Sequence, residues 1–171
     1  MSESFQKDHQ VRMAVLTVSD TRTKETDTGG QLVQRLARSE GVEIVDYDVV
    51  EDDIAAIRVI LSDWLEKDGI DVIITTGGTG IAKRDVTLEA VKPFFEKEID
   101  GFGELFRYVS FTEDIGTKAL LSRAAAGVAN DKAIFVLPGS RGAVKLAMER
   151  LILPEVQHIC SELTKHQQSD S

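Results

Sequence analysis

Apolar and polar positions come in blocks along this chain, and the blocks change period. Residues 11–18, VRMAVLTV, form an almost continuous apolar run without helical spacing, the pattern of a strand buried on both faces. The polar stretch SDTRTKETDTGG follows, and residues 31–38 then carry apolar side chains at 32, 33, 36 and 37, which predicts a helix. Gly41 is placed to end that helix, and 42–50 reads as a second strand. Ile54, Ile57, Ile60, Leu61, Trp64 and Leu65 mark one face of a strongly amphipathic helix, with Trp64 assigned to the core. A β-branched run over 70–76 predicts the third strand, and 86–95 a helix disturbed near its end by Pro93. The segment GFGELFRYVSF, 101–111, again has helical spacing, with apolar residues at 102, 105, 106 and 109. Residues 121–128 and 133–137 read as extended segments joined at Asn130-Asp131, a pair suited to a tight turn between antiparallel strands. From Gly142 the spacing is helical, and Pro154 either kinks that helix or begins another.

Strands alternating with helices of ten residues or more predict an α/β fold: a mostly parallel sheet covered on both faces, plus one antiparallel strand. Ligands of such folds bind at the carboxyl ends of the strands. That rule selects four loops, SDTRT, VEDD, TTGGTG and LPGSRG, which are also the chain's densest clusters of small, hydroxyl and charged residues.

Composition narrows the class. The 171 residues suffice for one domain, expected over 11–164 between flexible tails at 1–10 and 165–171. A net charge of −9 disfavours a nucleic-acid partner. No apolar run approaches the ~20 residues of a membrane span, and the first ten residues lack a signal-peptide core, so a soluble, cytoplasmic protein without a membrane partner is expected. Cys160 stands alone, which excludes an intramolecular disulfide or a cysteine zinc cluster and suits a small buried apolar residue. His9, His158 and His166 lie in a tail or in the terminal helical region, away from the four loops.

TTGGTG sets glycines and threonines at a strand end, where bare N–H groups and hydroxyls can approach a phosphate or carboxylate; a simple tight turn explains the same residues. The spacing is neither a P-loop nor GxGxxG. Asp85 can cap the helix that follows, or Thr87 can cap it and release Asp85 toward the glycines. In VEDD, Asp53 is placed to cap the next helix, leaving Asp52 at the strand tip. Two carboxylates beside a phosphate cradle suit Mg²⁺-assisted phosphoryl or nucleotidyl transfer, with Asp20 a third candidate and arginine neutralising the remaining charge. Lys83 and Arg84 follow the glycines, while Ser122-Arg123 and Ser140-Arg141 offer further hydroxyl and guanidinium groups, or serve as caps and turns.

The set VSD (18–20), ITTGGTGIAKRDVTLEAV (74–91), GFGELFR (101–107), LSRAAAG (121–127) and LPGS (137–140) resembles the MoaB/MogA family of molybdenum cofactor biosynthesis, from about residue 12 to 163. The form PGSRGAVK and the short C-terminal helix are closer to MoaB. The resemblance implies a three-layer α/β/α sandwich, the fold also of the gephyrin and plant Cnx G domains. It implies a protein that binds molybdopterin and, in active members, adenylylates its terminal phosphate with ATP and Mg²⁺ before molybdate insertion. The family's catalytic aspartates match Asp52 and Asp85, which would also hold Mg²⁺. Pterin and phosphate contacts would fall on Ser19, Asp20, Thr76, Gly77, Gly78, Thr79, Gly80, Arg84, Ser122, Arg123, Pro138, Gly139 and Ser140. Family members form trimers, and MoaB types hexamers, so a homotrimer or homohexamer is implied, along with other proteins of the pathway as partners. Where MogA-like members carry proline before the first catalytic aspartate, this chain has Glu51, which adds negative charge beside the metal position. The alternatives are a non-catalytic molybdopterin carrier and, on the strength of the aromatic segment FGELFRYVSF alone, an oligomeric scaffold.

Overall fold

A computed structural model describes residues 9–169. The elements in chain order are β1 (Arg12–Val18), α1 (Thr28–Ser39), β2 (Glu43–Val50), α2 (Ile54–Leu65), β3 (Val72–Thr76), α3 (Thr87–Val91), β4 (Lys97–Glu98), α4 (Asp100–Glu113), β5 (Ala125–Ala129), β6 (Lys132–Leu137), α5 (Arg141–Ala147), α6 (Leu153–Leu163) and α7 (Lys165–Ser169). Most of the N-terminal tail expected over 1–10 lies outside the described residues, as do 170–171 of the C-terminal one; the latter begins with α7.

The six strands form one sheet in the order β2-β1-β3-β6-β5-β4. β1 pairs in parallel with β2 and β3, and β3 with β6; β5 runs antiparallel to both β6 and β4. Both faces are covered, because side chains along β1 alternate between two cores. Met13 and Val15 pack with Leu32, Val33 and Phe106 and with α5 and α6 on one side, while Ala14, Leu16 and Val18 pack with Ile57, Leu61, Trp64 and Leu88 on the other. This is the expected three-layer α/β/α arrangement. Among the described residues, no helix is long and apolar enough to cross a membrane.

Local chemistry sets the boundaries. Gly41 takes φ +80° just beyond α1, a conformation that glycine adopts without a Cβ penalty. Asn130 and Asp131, at φ 50° and 61°, make the two-residue turn between β5 and β6. Trp64 is buried, and its Nε1 donates to Asp46 Oδ2 at 3.1 Å. Cys160 is buried as expected, its thiol pushed up to about 12 by burial and by the nearby Asp71, so it is no nucleophile at neutral pH.

Two boundaries differ from the sequence pattern, and Pro154 begins a second helix, one of the two readings the sequence left open. The strand expected to begin at 121 begins at 125, because 116–121 coils into a 3₁₀ segment. The helix expected over 86–95 is only one turn of α-helix, continued by a 3₁₀ turn over 92–94 that contains Pro93, which has no N–H to extend the ladder. Pro154 lies in the first turn of α6, and a wide π turn over 148–152 joins that helix to α5.

Candidate functional site at the strand tips

β1 lies between β2 and β3, and the chain leaves β1 toward one edge of the sheet and β3 toward the other, so a crevice opens beyond the carboxyl ends of β1 and β3. A cavity of about 300 Å³ fills this crevice, lined by the tips of β1, β2, β3 and β6.

The glycine turn after β3 forms its floor. Gly77 and Gly78 have φ +99° and +68°, conformations in which side chains are strained. A Cβ on Gly77 would strike the carbonyl oxygen of Val18, and one on Gly78 would strike Thr87 Oγ1 and lie 3.1 Å from Asp52 Oδ1. Glycine is thus required twice, because the turn passes directly over β1 and beside Asp52. The turn is tied down by Gly77 N donating to Leu137 O at 3.0 Å, by Thr87 N donating to Gly78 O at 3.1 Å, and by Thr87 Oγ1 donating to Gly77 O at 2.9 Å.

Asp53 accepts from Ala56 N at 2.8 Å and caps α2, leaving Asp52 at the cavity wall. The expectation that Thr87 caps α3 is not met: α3 has no side-chain cap, and the Thr87 hydroxyl is spent on the glycine turn. Asp85 does not cap it either. Its Oδ2 accepts from Ala82 N at 3.1 Å and lies 2.7 Å from where a Cβ on Gly80 would stand, so Asp85 folds back over the loop beside the glycines. Asp20 accepts from Asp52 N at 2.8 Å and joins the first loop to the second. Burial holds the Asp52 carboxyl above the usual carboxylate range, reinforced by the charges of Asp20 and Asp85, with Arg84 opposing them.

Of the residues singled out in the sequence, Ser19, Asp20, Asp52, Thr76, Gly77, Gly78, Arg84, Asp85, Gly139 and Ser140 meet at this cavity. Several have structural duties there. Ser19 Oγ accepts from Thr21 N and Arg22 N at 3.3 and 3.2 Å, Thr76 Oγ1 donates to the carbonyl of Pro138 at 3.3 Å, and Ser140 caps α5 by accepting from Ala143 N at 3.2 Å. Thr79, Gly80 and Pro138 are not among the lining residues. Ser122 and Arg123 line a separate cavity of about 450 Å³ against α3 and α4. Arg123 is a brace for the glycine loop: it donates to Thr79 O at 3.3 Å, to Gly80 O at 3.1 and 2.8 Å and to Asp85 O at 3.3 Å, and it forks onto both oxygens of Glu89.

Five further lining residues, Thr17, Val18, Thr21, Arg22 and Asp27, were not singled out as site residues in the sequence, although Thr21 and Arg22 fall in the SDTRT loop. Asp27 is fully buried and accepts from Thr17 Oγ1 and Tyr47 Oη, both at 2.6 Å, and from Gly30 N at 3.0 Å, capping α1. Burial and that bond to Asp27 raise the Tyr47 hydroxyl well above the usual phenol range, so it stays a donor. The available signal was DTGG itself, an aspartate three residues before a glycine N–H at a helix start.

Four carboxylates and two guanidiniums line the cavity, and no group of three or more His, Cys, Asp or Glu able to hold a metal is found among the described residues. Asp52 and Asp85 nevertheless suit a hard divalent cation that takes its other ligands from phosphate and water, since Asp52 lies 3.1 Å and Asp85 2.7 Å from where Cβ atoms on Gly78 and Gly80 would stand.

The fold and its crevice define a doubly wound α/β domain with a glycine-floored, carboxylate-walled cavity at the strand tips. Residues 14–158 match a family model described as a probable molybdopterin binding domain. The chain is 62% identical over 157 residues to molybdenum cofactor biosynthesis protein B of Staphylococcus aureus strain COL, covering 91% of this chain and 93% of that protein. A crystal structure of a molybdenum cofactor biosynthesis protein B superposes with a TM-score of 0.89 at 50% identity over 92% of this chain and 98% of that one. The tungsten cofactor synthesizing protein MoaB from Pyrococcus furiosus superposes with a TM-score of 0.80 at 38% identity over 90% and 97%. This chain belongs to the MoaB/MogA family of molybdenum cofactor biosynthesis proteins.

Proposed function

We propose that the protein binds molybdopterin at the strand-tip cavity and adenylylates its terminal phosphate with ATP. In that reaction a phosphate oxygen of molybdopterin attacks the α-phosphorus of ATP, the α–β anhydride bond breaks, and pyrophosphate leaves with the bond's electron pair. The observation that carries this reading is the convergence of Asp52 and Asp85 on a backbone turn that only glycine can form. Gly77 and Gly78 let phosphoryl oxygens approach bare backbone, and Arg84 offsets part of the charge. Asp52 and Asp85 are the residues that would hold Mg²⁺, which neutralises phosphoryl charge when bound. Neither caps a helix, although Asp85 Oδ2 accepts from Ala82 N within its own loop.

The test is incubation of the protein with molybdopterin and Mg-ATP, followed by mass analysis for the AMP adduct and assay of released pyrophosphate. Adduct formation that is lost in Asp52→Asn and Asp85→Asn supports the reading. Pterin binding without adduct refutes it in favour of a carrier, a second reading supported by Glu51, whose exposed carboxylate stands next to Asp52. The proposed setting is the cytoplasm, where ATP is available. The proposed assembly is a homotrimer or homohexamer, supported by the exposed Leu105, Tyr108 and Phe111 of α4 and by Leu120 and Leu121 just after it. Other proteins of the pathway are its proposed partners.

A further inference from the structure

A row of glycines runs from Asp52 to Arg22, which stands in the SDTRT loop after β1. A methyl group built on Gly78 would lie 3.1 Å from Asp52 Oδ1, one on Gly139 would lie 3.2 Å from Gly77 Cα, and one on Gly29 would lie 3.1 Å from Gly139 O. The Gly29 methyl would also stand 3.9 Å from Arg22 Nη1. Asp52 therefore borders one end of a row of glycines and Arg22 the other, and both line the cavity.

The guanidinium is oriented without being consumed. Its Nη1 donates to Thr28 Oγ1 at 3.2 Å and lies 4.0 Å from Asp27 Oδ1, beyond hydrogen-bond reach. Asp27 is already occupied by Thr17, Tyr47 and Gly30, so it attracts Arg22 electrostatically but does not tie up its fork. Arg123 presents the opposite case, with its donors committed to loop carbonyls and Glu89. A guanidinium that is 39% exposed, held by a side-chain bond to Thr28 and facing a cavity, is arranged for an incoming oxyanion.

We infer that Arg22 is a phosphoryl-binding residue of this site, holding the phosphoryl group at the end of the glycine row remote from Asp52, with Thr28 and Asp27 as its positioning residues. The inference rests on the proposed function only for what carries that group: the polyphosphate of ATP or the phosphomonoester of molybdopterin.

Calorimetric titration of the full chain with inorganic pyrophosphate, Mg-ATP and molybdopterin, each at two salt concentrations, tests it. Arg22→Gln should weaken pyrophosphate and at least one of the two organic ligands by about tenfold or more, the size of a lost bond to a charged group. The ligand that weakens identifies the source of the phosphoryl group. The salt dependence of that binding should fall, Arg22→Lys should recover part of the affinity, and the melting temperature should hold, which separates anion binding from a structural role. Equal affinities of Arg22→Gln and wild type for all three ligands overturn the inference, as does a wild type that binds none of them. If wild type binds neither molybdopterin nor ATP while the pyrophosphate loss persists, the proposed activity falls and Arg22 keeps its role.

Discussion

Thr87 offers a sharp test of how the glycine turn is held. Its side chain is fully buried, and its hydroxyl donates to the carbonyl of Gly77 at 2.9 Å. Thr87→Val keeps the shape and removes that one donor, leaving the Gly77 carbonyl without its partner. The cost should be about 1.5 kcal/mol, which lowers the melting temperature of a domain this size by about 3–6 °C. Thr87→Asp discriminates further. If residue 87 capped α3, aspartate would serve as well as threonine. Because the group it faces is a carbonyl oxygen, an aspartate there sets a buried carboxylate against an acceptor with no proton to give, and it should destabilise more than valine does. Thermal melts of the two variants give the ranking, and ligand titration shows whether the floor of the cavity has moved. A Thr87→Asp protein as stable as wild type would refute the assignment of the hydroxyl to the turn.

Asp52→Asn should raise the melting temperature of the ligand-free protein at neutral pH. Burial and the charges of Asp20 and Asp85 raise the folded carboxyl, so its stabilising contribution exists at low pH and is lost as pH rises through its own titration. The gain should shrink in acid and on adding Mg²⁺; a lower melting temperature at pH 7 contradicts it. Asp71 has the opposite sign. Burial alone would raise it, but the bonds from Arg12 N, Nε and Nη2 outweigh burial, so its contribution is present above the ordinary carboxylate range and is lost as pH falls through its lowered titration. Asp71→Asn should therefore melt lower than wild type at neutral pH, by about 1–3 kcal/mol of stability, and the gap should close in acid. Leu120→Asp together with Tyr108→Glu, at positions 87% and 65% exposed, should leave the fold intact and shift light-scattering mass toward the monomer; an unchanged mass removes this face from the assembly.

The sequence by itself determined the layers. Long apolar runs predict strands buried on both sides, apolar residues three and four apart predict the covering helices, and Asn130-Asp131 predicts the hairpin turn; each is a local property that the structure repeats. The four loops were legible as well, because a strand that ends in glycine, serine and aspartate announces its tip. Cap assignment was only half legible. Asp53 and its helix lie within three residues, whereas the acceptor of Thr87 is ten residues back in a turn whose path depends on Val18 of another strand. The same reason hid Asp27, whose partners Thr17 and Tyr47 come from two different strands, and it parted Arg123 from the cavity by turning it to the back of the glycine loop. Tertiary structure alone decided which polar groups are spent on the fold and which remain for a ligand, because hydrogen-bond partners distant in sequence meet only when the sheet is assembled.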